Sequence, residues 1–74
     1  MERKQIESSR VKSVGHQGHA LEIEFNNGRI YQYSPVTQEA YLNMLRSESI
    51  GKWVQKNIIN NANLDCELQP IEEN

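Results

Sequence analysis

The 74-residue sequence is poor in the residues that would announce a chemistry. Its one cysteine, Cys66, cannot form a disulfide within the chain, which makes a reducing cytoplasm the expected setting. His16 and His19, with that single remote thiol, fall short of the ligand density of a zinc site, so no metal or other cofactor is expected. Ser8, Ser9, His16 and Cys66 supply nucleophiles and a base, yet nothing in their spacing orients the base or builds an oxyanion site. So short a chain also leaves little room for the several hundred Å³ of a substrate pocket. A non-enzyme is expected. No apolar run approaches the roughly 20 residues of a membrane helix. The opening MERKQIESSR is charged and lacks the apolar centre of a secretory signal.

Basic residues are missing from the last ten positions, where Asp65, Glu67, Glu72 and Glu73 stand. Without those four acids, residues 1–64 hold eight Lys/Arg against six Asp/Glu, a balance of +2 on a chain whose net charge is −2. That is an acidic tail on a weakly basic body, far less basic than most nucleic-acid modules.

What the chain does have is a hairpin. In Leu21–Thr37, LEIEFNNGRIYQYSPVT, the apolar Leu21, Ile23 and Phe25 alternate with Glu22 and Glu24, the period of two of a half-buried strand. A two-residue Asn27-Gly28 turn would set Glu24 opposite Tyr31. A three-residue loop with Gly28 left-handed in a G1 bulge sets Phe25 opposite Arg29, Ile23 opposite Tyr31 and Leu21 opposite Tyr33. Directly opposed residues share a face, and only the second register gathers Leu21, Ile23, Phe25, Tyr31 and Tyr33 together. That register is the expectation.

Around the hairpin, Arg10–His16 reads as a strand. Val11 and Val14 lie three apart, so Gly15 is expected to supply a bulge or the strand's end, before a turn at Gln17-Gly18. Ser34-Pro35 closes the third strand, since proline has no N–H to donate. Thr37 then caps a helix with Glu39 in its first turn, Arg46 in its last, and Tyr41, Met44 and Leu45 on one face. Ser47-Glu48 breaks it, and Ser49 caps a second helix with Ile50, Trp53, Val54 and Ile58 at i, i+3, i+4 and i+8. Lys52, Gln55, Lys56 and Ile59 fall away from that stripe. Asn60-Asn61 ends the helix, with Asn suited to a left-handed final position. Leu64–Gln69 alternates weakly, enough for a short edge strand. The expected fold is α+β: a three-stranded antiparallel sheet, with a fourth short C-terminal strand as an option, covered on one face by an αα-hairpin in the order β-β-β-α-α. The domain spans residues 8–60, between a frayed 1–7 and an acidic tail at 61–74.

Read together, Ser9-x-Val11-x-x-Val14-Gly15, Leu21-x-Ile23-x-Phe25-x-x-Gly28-x-x-Tyr31-x-Tyr33, Tyr41…Leu45 and Ser49-x-Gly51 resemble the KTSC domain. This bacterial module is named for its place at the C-terminus of some lysyl-tRNA synthetases, and its marker is the Tyr-x-Tyr here formed by Tyr31-Gln32-Tyr33. The sequence departs from the family pattern at His16-Gln17, where a Tyr and an acid are usual, and at Pro35-Val36, where Val-Pro is. The resemblance implies no enzymatic activity, and it implies RNA or tRNA as a ligand. Tyr31 and Tyr33 are candidate stacking residues, although their place among Leu21, Ile23 and Phe25 favours packing. If they are packed, phosphate contacts fall to Lys52, Lys56, Arg29 and Arg46, with Lys52 and Lys56 four apart on one helix face. The other reading is a protein partner or a homo-oligomer, with Trp53 as the hot-spot candidate and Glu22, Glu24, Ile30 and Gln32 on a second, mixed sheet face.

Overall fold

The turn at Asn26-Asn27-Gly28 takes the three-residue form. A computed structural model describes residues 3–6, 8 and 10–69. Its elements are β1 (Lys4–Gln5), β2 (Val11–Gln17), β3 (Ala20–Phe25), β4 (Ile30–Ser34), α1 (Gln38–Arg46), α2 (Ile50–Val54) and β5 (Asp65–Leu68). Gly28 sits at φ 86°. Its amide donates to the Phe25 carbonyl at 2.9 Å, and the Phe25 amide donates to the Arg29 carbonyl at 2.9 Å. Leu21 therefore lies opposite Tyr33, and Ile23 opposite Tyr31. Leu21 and Ile23 are fully buried and Tyr33 is 7% exposed. A slip of one residue would have turned all of them to the other face.

Val11 and Val14 are both fully buried despite their spacing. The bulge that reconciles them is at Lys12, not at Gly15: Val11 pairs with Phe25 and Ser13 with Glu24, while Gly15 pairs with Glu22 in mid-strand. Placing the extra residue at Lys12 leaves a long charged side chain exposed and turns both valines inward. The turn that follows is Gly18-His19, one residue beyond the expected place, with Gly18 at φ 62°. This is the first central position, where a two-residue hairpin favours glycine.

Among the described residues the sheet has five antiparallel strands in the order β1-β2-β3-β4-β5, more than the three or four expected. β5 is the C-terminal edge strand, pairing Tyr31 with Leu68 and Tyr33 with Cys66. β1 is the strand the sequence pattern does not show, and it lies in the segment expected to fray. Lys4 and Gln5 are both exposed, so no apolar alternation marks them. They are held by pairing with Val14 and Ser13 and by Arg3, whose Nε donates to Ser13 Oγ at 3.2 Å and whose guanidinium pairs with Glu22. Ser13 Oγ in turn donates to Glu24 Oε1 at 2.9 Å. Glu22 and Glu24, placed by the hairpin on the second sheet face, are thus half-buried under a polar network.

Both helices lie on the other face. Thr37 Oγ1 accepts from the Ala40 amide at 3.1 Å and Ser49 Oγ from the Lys52 amide at 3.3 Å, so each cap is where the sequence puts it. Met44, Val54 and Ile58 enter the core, and Tyr41, Leu45, Ile50 and Trp53 pack around it. The second helix is not uniform. After Val54 it widens into a π-helical turn, Gln55–Ile59, in which the Asn60 amide reaches back to the Gln55 carbonyl at 3.1 Å. Asn57 Nδ2 donates to the Trp53 carbonyl at 3.0 Å, so a side chain competes for a group the regular ladder would use. Asn60 ends the turn at φ −84° rather than left-handed. Of the tail acids, Asp65 and Glu67 lie in β5, and Glu72 and Glu73 fall outside the described residues.

Leu21→Ala is expected to cost about 2–5 kcal/mol, because its cavity would open at the centre of the sheet. Thr37→Ala should cost about 1 kcal/mol, the loss of one cap. Urea unfolding with an unchanged slope checks both.

Candidate ligand groove

Five sheet strands are wider than two short helices can cover, and the uncovered part lies beside the hairpin turn. There the β2 start, the β3–β4 turn and the second helix enclose an open groove of about 430 Å³. Its floor is Val11, Tyr33 and Val54, and Phe25 and Tyr31 form an aromatic wall. The Phe25 and Tyr31 rings meet edge to face, with centroids 5.9 Å apart and planes at 72°. Tyr33 follows at 6.4 Å and 36°. Both Phe25 and Tyr31 are half-buried, so each keeps ring surface toward the opening.

The helix side of the groove comes from Gly51, Gln55 and Ile59, at i, i+4 and i+8. Gly51 is where the helix passes closest to the chain entering β2: a Cβ there would meet Ser8 Oγ at 3.2 Å and Arg10 Cβ at 3.7 Å. Ile59 remains 46% exposed. The rim is polar. Arg10 Nη1 donates to Gln55 Oε1 at 3.2 Å, a bridge between the β2 start and the helix. Asn26 Nδ2 donates to the Ser8 carbonyl at 3.2 Å, and Asn27 Oδ1 accepts from the Arg29 amide at 2.9 Å. Among the described lining residues Arg10 is the one formal charge, and no carboxylate, imidazole or thiol is present. These groups can stack on a flat ring, enclose apolar surface and neutralise an anion.

The sequence candidates divide. Tyr31 and Tyr33 belong to the groove, Tyr31 on its wall and Tyr33 beneath it. Arg29 is exposed beside the turn, Arg46 is exposed at the end of α1, and Lys52 and Lys56 are exposed on either side of the α-to-π junction. None of these four lines the groove. Trp53 is half-buried against the core and borders a separate hollow of about 250 Å³ with Pro35, Val36, Ala40 and Leu64. His16 sits inside the fold, its Nε2 2.6 Å from the Val36 carbonyl and its ring stacked on Tyr41 at 5.1 Å. It ties β2 to the start of α1. Cys66 is exposed on β5.

Arg10, Gln55 and Ile59 are the groove residues the sequence reading passes over. Gln55 and Ile59 flank the core stripe, and Gly51 four residues before Gln55 was the legible sign that this flank approaches another segment. Arg10 carried no sign, because only the strand pairing brings it to the helix.

The KTSC domain family matches residues 7–61, most of the chain. The chain belongs to the KTSC family. An uncharacterized protein of Stutzerimonas stutzeri (strain A1501) is 33% identical over 54 residues, covering 70% of this chain and 76% of its own. The crystal structure of a KTSC domain protein from Yersinia pestis superposes with a TM-score of 0.85 at 28% identity, covering 93% of this chain and 97% of that one. In this KTSC domain the Tyr-x-Tyr marker sends both rings inward, and the groove leaves only the first accessible.

Two tyrosine hydroxyls give a pH test. Desolvation, with the Cys66 thiol and Tyr31 beside it, pushes the Tyr33 hydroxyl far above the ordinary phenol value, and desolvation raises Tyr41 as well. A phenol that holds its proton more tightly when folded contributes stability that is complete below the unfolded value near 10 and is lost as pH rises beyond it. Stability should fall above about pH 10, by at most about 1.4 kcal/mol per pH unit from Tyr33, and Tyr33→Phe should flatten the decline. Urea unfolding from neutral to alkaline pH measures the slope.

Proposed function

We propose that this KTSC domain is a small non-enzymatic binding module of the cytoplasm that holds an unpaired stretch of RNA in the groove. The observation that carries the reading is the pairing of a half-buried Tyr31–Phe25 wall with Arg10, the one charged residue among the described lining residues. Single-stranded nucleic acid presents that combination: flat rings that stack on aromatic side chains, and a phosphate for a guanidinium. Gln55 holds the Arg10 guanidinium at the rim, so part of its ordering precedes binding. Lys52 and Lys56, exposed on the second helix, add positive charge on the element that supplies Gln55 and Ile59 to the groove. A duplex, whose bases are stacked on each other, offers no ring to Tyr31.

Fluorescence anisotropy with a labelled single-stranded RNA and its duplex, across a salt series, tests this. The single strand should bind better, with log affinity falling by about 0.7 per phosphate contacted for each tenfold rise in salt. Tyr31→Ala should weaken binding roughly five- to a hundredfold, the value of one stacked base. Lys52→Glu with Lys56→Glu should weaken it evenly across sequences and flatten the salt slope. Equal binding of the duplex, or none at low salt, would refute the reading.

A further inference from the structure

Among the described residues β5 is an open edge, and its register states which backbone groups face outward. The Gln69 amide donates to the Ile30 carbonyl at 2.8 Å. In an antiparallel ladder, residues with such bonds alternate with residues whose N–H and C=O point away. With Gln32 opposite Glu67 and Ser34 opposite Asp65, the bonds to β4 fall on Asp65, Glu67 and Gln69. The N–H and C=O of Cys66 and Leu68 therefore face away from the sheet. Side chains alternate in step. Leu68, opposite Tyr31, is on the helix face and 56% exposed; Glu67, opposite Gln32, is on the other face with Asp65. Neither acid forms an ion pair among the described residues.

We propose that this edge accepts an extended segment of another protein, one whose residues alternate apolar and basic, as a sixth strand. Backbone pairing would occur at Cys66 and Leu68. The incoming apolar side chains would cover Leu68 on the helix face, and the basic ones would meet Asp65 and Glu67 on the other. Two registers of a second copy are disfavoured: two-fold pairing centred on Cys66 sets Asp65 against Glu67 of a second copy, and pairing centred on Glu67 sets the two Glu67 carboxylates together, which repels. The other edge, β1, is two residues long. The inference is independent of what the groove holds.

The probe is a short, end-capped peptide of alternating lysine and valine, titrated at low salt into the full chain and followed by backbone amide NMR. The Cys66 and Leu68 amides should exchange rapidly in the free protein and become protected in the complex, while Glu67 changes little. A scrambled peptide of the same composition should bind more weakly. Asp65→Lys with Glu67→Lys should weaken binding about five- to tenfold, the worth of two cross-strand charge pairs reversed. Both positions are exposed, so the variant keeps the fold. The proposal is overturned by equal binding of the scrambled peptide, by shifts confined to Arg10, Phe25 and Tyr31, or by no binding. It is also overturned by a concentration-dependent dimer that protects the same two amides without peptide.

Discussion

With Gly28 left-handed at φ 86°, the Phe25 amide reaches the Arg29 carbonyl, and every later pair along the hairpin is set by that first bond. Five large side chains then point to one side of the sheet. The core of so small a domain has few other sources: Val11 and Val14 from β2, Val36 from the connection, and Met44, Val54 and Ile58 from the helices complete it. The Lys12 bulge follows from the same demand, since only an extra residue in β2 lets both valines face the hairpin's apolar side.

The groove is the geometric remainder of that arrangement. α1 has nine residues and α2 five before the π-helical turn, and together they cover part of a five-stranded sheet. Coverage ends near the hairpin turn, so Phe25 and Tyr31 are half-buried whereas Leu21 and Tyr33, further along, are enclosed. The widened turn at Gln55–Ile59 borders the same opening, in keeping with the frequent occurrence of π-helical segments at functional sites. One face is thus closed as core at one end and open as the groove's aromatic wall at the other.

The opposite face is organised differently. Arg3, Ser13, Glu22 and Glu24 form a chain of hydrogen bonds and an ion pair that fastens β1 to β2 and β3. Acids that the strand alternation places on a solvent face are instead half-buried, each with a partner. Charge is therefore used inside the domain at the β1 edge, and left unmatched among the described residues at the β5 edge.

The sequence by itself determined the elements whose signals are local. The period of two in Leu21–Phe25, the Asn-Asn-Gly turn, the caps Thr37 and Ser49 and the stripe through Val54 and Ile58 each depend on neighbours a few residues away, and the bulged register followed from requiring one apolar face. Family membership was legible for the same reason, because the motifs are the turn and core positions themselves. Only the tertiary structure decided what depends on distant partners. β1 exists because Ser13 and Val14 offer it an edge, not because Lys4 and Gln5 favour a strand. Arg10 joins the groove because pairing across β2 and β3 delivers it to Gln55, 45 residues on. The half-burial of Tyr31 depends on where the helices stop across the sheet, a length in space that no periodicity along the chain encodes.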